Sequence, residues 1–448
     1  MRTLARIATL CLTPCALGAP LPPVIDGAFD DWSNADATVA DERGDARGAF
    51  DVLRLDAIAS GGRLALRLEL AEALNLQSGP PEQGTLVVRV APEGSPNRAI
   101  AIDMRARSVT GRALDPLDWG VIDYVSAPTH ASSVFEMSMD VRPLGVELGD
   151  ELVVTFSGAD TSDEPLRVQA RRGPLVMRAY EDPRKQAGVW RVCSINTLRN
   201  GALNAERAPV LGRLLDAMDP DIVCLQEEWD SDADALRRWI QDADPLDNGA
   251  RWGAVRVGGN VILAPEPTQV VLDGASGSGF TIAKIDTGDR RLIVASVHLK
   301  CCGYAGSEED ERRIEQAQSL IRAVERIRAE HEGYAEAPFV LIGDWNLVGS
   351  GLARDLVCEH PTLDATDLAP MRLRGDRNTT WRDLTPNNGG FPPGRLDLAV
   401  VGGGLTVDRS FVFDTEDLSN AMLGELRLDR AASRASDHLM LVVDIDAP

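Results

Sequence analysis

The stretch FVLIGDWN, residues 339–346, decides the fold of the second half of the chain. Its apolar start predicts a buried strand, and polar residues follow where that strand ends. Asp344 and Asn346 are two positions apart, so on an extended segment both side chains point the same way. In α/β sheets, side chains at strand ends converge on one crevice, where such folds build their sites.

The same pattern recurs on both sides of this stretch. Apolar strands alternate with helical segments from residue 189 onward, and the clearest helix is predicted over 310–331 from apolar residues at three- and four-residue steps. This alternation predicts a mixed α/β layer structure. Polar residues that follow other apolar runs, or that come late in the chain, are Asn196, Glu227, His298, Asp397, Asp437 and His438.

These residue types indicate one reaction class. Carboxylates with amide oxygens suit a hard cation, above all Mg²⁺, which keeps several waters and takes few protein ligands. Histidines serve as acid, base or phosphate donor near neutral pH. Asparagine side chains hold an oxyanion or orient a carboxylate. Together they describe attack by water on a phosphate ester.

The order of these motifs closely resembles that of the endonuclease/exonuclease/phosphatase superfamily. The resemblance covers about residues 189–445 and includes the segments LQE at 225–227, VHL at 297–299, GDWN at 343–346, RLD at 395–397 and SDH at 436–438. Trp345 and Leu398 stand where the family often has Phe and Tyr. The resemblance implies a DNase I-like α/β/β/α four-layer sandwich and Mg²⁺-dependent phosphoester hydrolysis, with Mn²⁺ or Ca²⁺ as alternative cations.

The resemblance also implies roles, residue by residue. Glu227 would bind the metal, Asn196 would lie beside it as ligand or orienting partner, and Asp437 would hold the metal or its water. The catalytic roles would fall to five residues: His298 on the scissile phosphate, Asp344 on the attacking water, Asn346 on the transition state, Asp397 as the partner that orients a histidine, and His438 as general base or phosphate contact.

Residues 22–172 have a different pattern. Short alternating runs separated by Gly, Pro, Asn and Asp predict an antiparallel β-sandwich. The segment VIDGAFDDW, residues 24–32, resembles the opening of carbohydrate-binding family 9-like modules. That resemblance implies a carbohydrate or cell-surface ligand. The structural alternative, which we favour for any particular sugar site, is that Trp32 belongs to the core and the acidic residues belong to turns.

Residues 1–18 have the pattern of a secretory signal peptide, with Arg2 and Arg6 before a short apolar core. We therefore expect a secreted or periplasmic protein. Residues 173–188 are polar and irregular and predict a linker, with the catalytic domain at 189–448. No later run approaches the roughly 20 apolar residues of a membrane helix, so we expect no stable membrane insertion.

Five cysteines follow the predicted signal peptide. Cys193 and Cys224 lie in apolar runs and are expected to be buried thiols. Cys301 and Cys302 are adjacent, and one of them could bridge to Cys358.

The net charge of −23 argues against a general nucleic-acid coat protein, which needs a basic surface. It does not exclude a nuclease that binds a few phosphates locally. The expected function is an exported phosphodiesterase or nuclease that acts on nucleic acid, a phospholipid head group or a small organic phosphate, with no protein partner predicted. The alternative is a non-catalytic surface- or sugar-binding protein with an inactive hydrolase fold.

Overall fold

The computed structural model describes residues 22–111, 117–171, 182–246, 249–266, 269–270, 277–286, 291–384 and 390–446. The predicted signal peptide at 1–18 lies outside these ranges, as does the start of the predicted linker, and both stay predictions. No helix within the described ranges is long and apolar enough to cross a membrane.

The first half of the chain consists of short strands joined by turns, as its alternating pattern predicts. Its ten strands are β1 (Ala37–Ala40), β2 (Val52–Ser60), β3 (Arg63–Leu74), β4 (Leu86–Pro92), β5 (Ile100–Asp103), β6 (Ser108–Gly111), β7 (Val125–Ala127), β8 (Ser132–Asp140), β9 (Glu151–Gly158) and β10 (Leu166–Gln169).

These strands form two antiparallel sheets, ordered β1-β2-β3-β8-β7 and β10-β9-β4-β5-β6. One apolar core draws on both sheets, which confirms the predicted β-sandwich. Trp32 is only 4% exposed, and its indole Nε1 donates a hydrogen bond of 2.9 Å to Glu136. Trp32 is therefore a core residue, as the structural alternative holds.

The second half alternates strands with helices. Its elements are β11 (Val189–Asn196), α1 (Ala208–Met218), β12 (Ile222–Gln226), α2 (Ala233–Ala243), β13 (Trp252–Val257), β14 (Asn260–Pro265), β15 (Gln269–Val270), β16 (Phe280–Asp286), β17 (Arg291–His298), α3 (Glu308–Glu330), β18 (Phe339–Asp344), α4 (Leu352–Cys358), β19 (Ala365–Asp367), β20 (Met371–Arg372), β21 (Asp397–Gly402), β22 (Val407–Phe413), α5 (Asn420–Leu426) and β23 (Met440–Asp446).

Two sheets form the centre of this half, ordered β13-β14-β12-β11-β23-β22-β20 and β15-β16-β17-β18-β21-β19. An apolar core made of residues from both sheets joins them face to face. Helices α1, α2 and α5 cover the outer face of the first sheet, and α3 and α4 cover that of the second. This arrangement confirms the α/β/β/α four-layer sandwich.

Helix α3 begins two residues before the predicted position and buries most of the predicted apolar stripe. The side chain of Arg313 departs from the usual pattern of an amphipathic helix, because it is fully buried whereas arginines are mostly exposed. Its guanidinium pairs with Asp310 at 2.7 Å and donates to the carbonyl oxygens of Lys300 and Cys302. A buried arginine is stable here because acceptors satisfy its charge and its donors.

Cys193 and Cys224 are buried free thiols, as expected. The suggested bridge to Cys358 is not formed, since Cys358 is also a free thiol. Instead, the Sγ atoms of Cys301 and Cys302 lie 2.9 Å apart.

The two halves are joined by hydrogen bonds that reach loops near the predicted site. Asn75 is 4% exposed, and its Nδ2 donates to the carbonyl oxygens of Val348 and Gly349 at 2.9 Å each. Its Oδ1 accepts a bond of 2.8 Å from the backbone N–H of Ala305. One buried side chain of the sandwich thus fixes two loops of the second half, one of which follows the stretch 339–346.

We expect Asn75→Ala to lower the free energy of unfolding by roughly 1–3 kcal/mol, because buried backbone groups lose their partners. Urea unfolding of the full chain measures this. The exposed Asn34→Ala is the control, expected to stay within about 0.5 kcal/mol of the unchanged protein. Equal stability of the two variants would show that the hydrogen bonds of Asn75 across the two halves contribute nothing.

Candidate active site

The strand directions bring the predicted residues to one edge of the paired sheets. Parallel β11 and β12 end together, at Asn196 and Gln226. Parallel β17 and β18 end together, at His298 and Asp344. Antiparallel β21 begins opposite Asp344 with Asp397, and antiparallel β23 begins beside the end of β11, just after Asp437 and His438.

Asp344 lies at the centre of this cluster. It is 2% exposed, and its Oδ2 lies 3.6 Å from Nε2 of His298 and 3.6 Å from Nε2 of His438. The same oxygen accepts a hydrogen bond of 3.2 Å from Nδ2 of Asn196. Burial raises the pKa of Asp344, and the two histidines oppose that rise. The carboxylate is therefore a strong acceptor held next to two proton carriers.

His438 pairs with Asp397. Nδ1 of His438 lies 2.8 Å from Oδ2 of Asp397, and both side chains are buried. The hydroxyl of Thr380 accepts the backbone N–H of Asp397 at 2.9 Å, which fixes the start of β21. Burial alone would lower the pKa of His438, but Asp397 and Asp344 raise it to about 10. With that pKa, His438 carries a proton and a positive charge near neutral pH. Of the two roles implied for His438, this positive charge favours contact with the phosphate over the role of general base.

The stability of the metal-free protein should depend on pH through the proton that His438 holds. Because the folded pKa of about 10 lies above the ordinary 6.5, the contribution of His438 is fully present below about pH 6.5 and is lost as the pH rises through 10. We expect the stability difference between the unchanged protein and His438→Gln to shrink over that range. Urea unfolding in EDTA from pH 6 to 10.5 measures it, and a difference independent of pH would contradict the assignment.

Asn196 bridges two carboxylates. Its Nδ2 lies 3.2 Å from Oε1 of Glu227 as well as 3.2 Å from Asp344, and its Oδ1 accepts the backbone N–H of Leu198 at 3.0 Å. The other oxygen of Glu227 accepts the N–H of Arg199 at 2.9 Å. Asn196 thus has the contacts of an orienting partner, since its own oxygen is already engaged.

Asn346 and Asp437 occupy the rim of the cluster. The backbone N–H of Asn346 donates to Oδ1 of Asp344 at 3.0 Å, and its Nδ2 donates to the carbonyl of Leu299 at 3.2 Å. Asp437 is half-buried, and its Oδ2 accepts the indole N–H of Trp381 at 3.2 Å. Each predicted site residue therefore lies at this edge of the sheets or directly beside it.

The donor set fits a hard divalent cation. Glu227 and Asp344 both accept a hydrogen bond from Nδ2 of Asn196, which holds their carboxylate oxygens close together. Ligand atoms of Asp344, Asp397 and His438 also lie within 4.8 Å of one another. Glu227 is only half-buried, so its carboxylate is accessible, whereas Asp397 is engaged by His438. The oxygen-rich side of the cluster, around Glu227, therefore suits a hard divalent cation.

Comparison with known proteins agrees with this geometry. The model of the family described as Endonuclease/Exonuclease/phosphatase matches residues 193–438, more than half of the chain. The chain belongs to the endonuclease/exonuclease/phosphatase family. The match begins within β11 and ends at His438, so it contains Glu227, Asp344 and Asp397 of the cluster.

Several solved structures of the endonuclease/exonuclease/phosphatase fold are similar to this chain. The truncated TDP2 of Caenorhabditis elegans is 18% identical and covers 58% of this chain and 98% of its own, with a TM-score of 0.38. The catalytic domain of human Nocturnin is 18% identical, covers 58% and 94%, and has a TM-score of 0.37. The mannosyl-6-phosphatase Bt3783 of Bacteroides thetaiotaomicron is 17% identical, covers 57% and 99%, and has a TM-score of 0.39. A search of the curated proteins found no match.

Two features of the site are not predicted by the sequence analysis. Glu228 is fully buried beside the candidate ligand Glu227, and it accepts hydrogen bonds from Thr197, Ala202 and Ser231. The network ties the turn after β11 to the turn after β12. Adjacent glutamates gave no signal for which one is buried, because that depends on contacts with distant residues.

The second missed feature is Trp229, which is 50% exposed. Its ring centroid lies 5.7 Å from that of His298, at an interplanar angle of 47°. An exposed tryptophan next to a candidate catalytic histidine is unusual, since large apolar side chains are normally buried.

Proposed function

We propose that the chain is an exported, Mg²⁺-dependent phosphoester hydrolase of the phosphodiesterase or nuclease type. The observation that carries the proposal is the buried Asp344, placed 3.6 Å from two histidines and bonded to Asn196. In this set Asp344 can accept the proton of the attacking water, and the two histidines can donate hydrogen bonds to phosphoryl oxygens. Family membership supports phosphoester hydrolysis as the reaction class.

Glu227, with Asp437 and the orienting amide of Asn196, would hold the cation. Bound there, Mg²⁺ supplies positive charge that neutralises the developing negative charge of the phosphoryl group. The residues of the chain do the rest. Asp344 positions the attacking water and takes its proton on Oδ2, while Asn346 stabilises the transition state.

The two histidines act on the phosphate. His438, protonated because Asp397 and Asp344 raise its pKa to about 10, donates from Nε2 to a phosphoryl oxygen. His298, whose Nε2 lies 3.6 Å from the same oxygen of Asp344, donates to another phosphoryl oxygen. As the oxygen of the water bonds to phosphorus, the bond from phosphorus to the leaving ester oxygen breaks.

The substrate class follows from the proposed location. The pattern of residues 1–18 supports export, which makes extracellular nucleic acid, phospholipid head groups or small organic phosphates available. A carbohydrate or cell-surface ligand for the sandwich remains part of the proposal on the resemblance of residues 24–32 alone.

The test is a panel of phosphoesters given to the full chain: plasmid DNA, RNA, sphingomyelin, inositol phosphates and bis-p-nitrophenyl phosphate. We expect hydrolysis with Mg²⁺ and its loss in EDTA, restored by added Mg²⁺, Mn²⁺ or Ca²⁺. No hydrolysis of any ester under any cation would favour the alternative of a non-catalytic binding protein. Hydrolysis that EDTA leaves unchanged would overturn the metal-dependent mechanism.

A further inference from the structure

A groove with a cavity volume of about 240 Å³ opens beside the candidate active site. Its walls include Trp229, Gly259, Asn260, Gly279, His298 and Lys300. His298 belongs to both the groove and the catalytic cluster, so anything bound in the groove lies next to the reacting phosphate. Several of the residues that line the groove are glycines. Because glycine has no side chain, the groove keeps room for a planar group between its walls.

The backbone fixes the ring of Trp229 in this slot. A Cβ atom added at Gly259 would lie 2.7 Å from Cδ2 of the indole and 2.8 Å from both Cε2 and Cε3. Nearly equal distances to three bonded ring atoms mean that Gly259 packs against the face of the indole. Backbone therefore covers one face of the ring, and because Trp229 lines the groove and is 50% exposed, we infer that the opposite face is open to the groove.

A rigid indole with an open face is a stacking platform for planar rings. Such stacking works for any nucleobase, because every base has a π-face, and it adds about 1–3 kcal/mol per base on top of any contacts with the phosphate. It therefore suits a chain with a net charge of −23, which cannot gain affinity from a long basic track.

We propose that Trp229 and the groove beside it bind a planar aromatic ring, of the nucleobase class, attached to the phosphate that the cluster hydrolyses. The inference rests on the proposed phosphoesterase function and gives it a substrate class. Trp229 touches this ring and sets specificity, and Gly259 acts through Trp229 as a positioning residue.

The first test compares kcat/KM for thymidylyl-thymidine with that for its analogue lacking both bases. The full chain should prefer the base-containing ester by roughly 5- to 150-fold, the usual range for one stacked base. Trp229→Ala should abolish the preference, Trp229→Phe should keep part of it, and Gly259→Ala should reduce it by displacing the ring. The control is Trp190→Phe, near the start of β11 and roughly 20 Å along that strand from Asn196.

The second test needs no turnover, so it separates this inference from the proposed function. Calorimetry with Mg²⁺ compares adenosine 5′-monophosphate with ribose 5-phosphate. We expect the nucleotide to bind more tightly to the full chain, and Trp229→Ala to remove that difference.

Two results would overturn the inference even if phosphoesters are hydrolysed. One is a preference for the base-containing ester that is the same in the full chain and in Trp229→Ala. A lack of preference in both proteins counts as this result. The other is that Trp229→Ala weakens the binding of ribose 5-phosphate as much as that of adenosine 5′-monophosphate. That result would assign the platform to sugar rings instead.

Discussion

Glu227→Gln is expected to lower phosphoester hydrolysis by about 100-fold or more. Even residues that only support a metal ligand cost roughly 10- to 100-fold when changed, and Glu227 is the proposed ligand itself. The substitution removes one negative charge and nearly preserves volume. Glutamine can still accept the N–H of Arg199, but its Nε2 then faces Nδ2 of Asn196 and that one hydrogen bond is lost, so only a small fall in the melting temperature is expected. Steady-state kinetics over a Mg²⁺ titration measures the loss.

The neighbouring glutamate provides the matched control. Glu228 is fully buried and bonded to Thr197 at 2.5 Å, so Glu228→Gln should lower stability while the Mg²⁺ dependence of the remaining folded protein stays the same. If Glu227→Gln keeps nearly full activity at limiting Mg²⁺, the assignment of Glu227 as the principal ligand is wrong.

His438→Ala is expected to reduce kcat by roughly 10²- to 10³-fold, the usual cost of removing one positioned donor to a developing oxyanion. Asp397→Asn should reduce kcat by less, because the asparagine oxygen can still accept the N–H at Nδ1 of His438 and only the negative charge is lost. The double variant should be scarcely slower than His438→Ala, since the 2.8 Å contact makes the two residues one unit.

A double-mutant cycle on folded, metal-loaded protein decides this, with circular dichroism as the folding control. Losses that multiply would reject the pairing of His438 with Asp397. An unimpaired His438→Ala would reject the mechanism as a whole.

Much of this arrangement could be predicted from the sequence because it follows from strand ends. The ends of β11, β12, β17 and β18 are visible as apolar runs that stop at a polar residue. Their meeting at one edge follows from sheet geometry. The family resemblance implies that Asp397 orients a histidine, provisionally His438; no local pattern shows this, because the two residues are 41 positions apart.

The rest depends on contacts that no local pattern encodes. Thr380 supports Asp397 from a loop without periodicity, and the raised pKa of His438 depends on burial by several elements at once. Trp229 looks like a core residue in the sequence. Only the folded structure shows that Trp229 stays 50% exposed while Gly259 packs against one face of its ring.

The place of β23 in its sheet has a consequence for how the protein matures. This strand lies between β11 and β22, and the residues just before it are Asp437 and His438. Protein chains fold from the N-terminus while the ribosome extends them at about 5–20 residues per second. The sandwich strands are complete by Gln169, long before β23 is made. A folding intermediate in which β23 is not yet paired therefore has a finished first half but leaves β11 and β22 unjoined, and the proposed site is complete only once β23 takes its place between them.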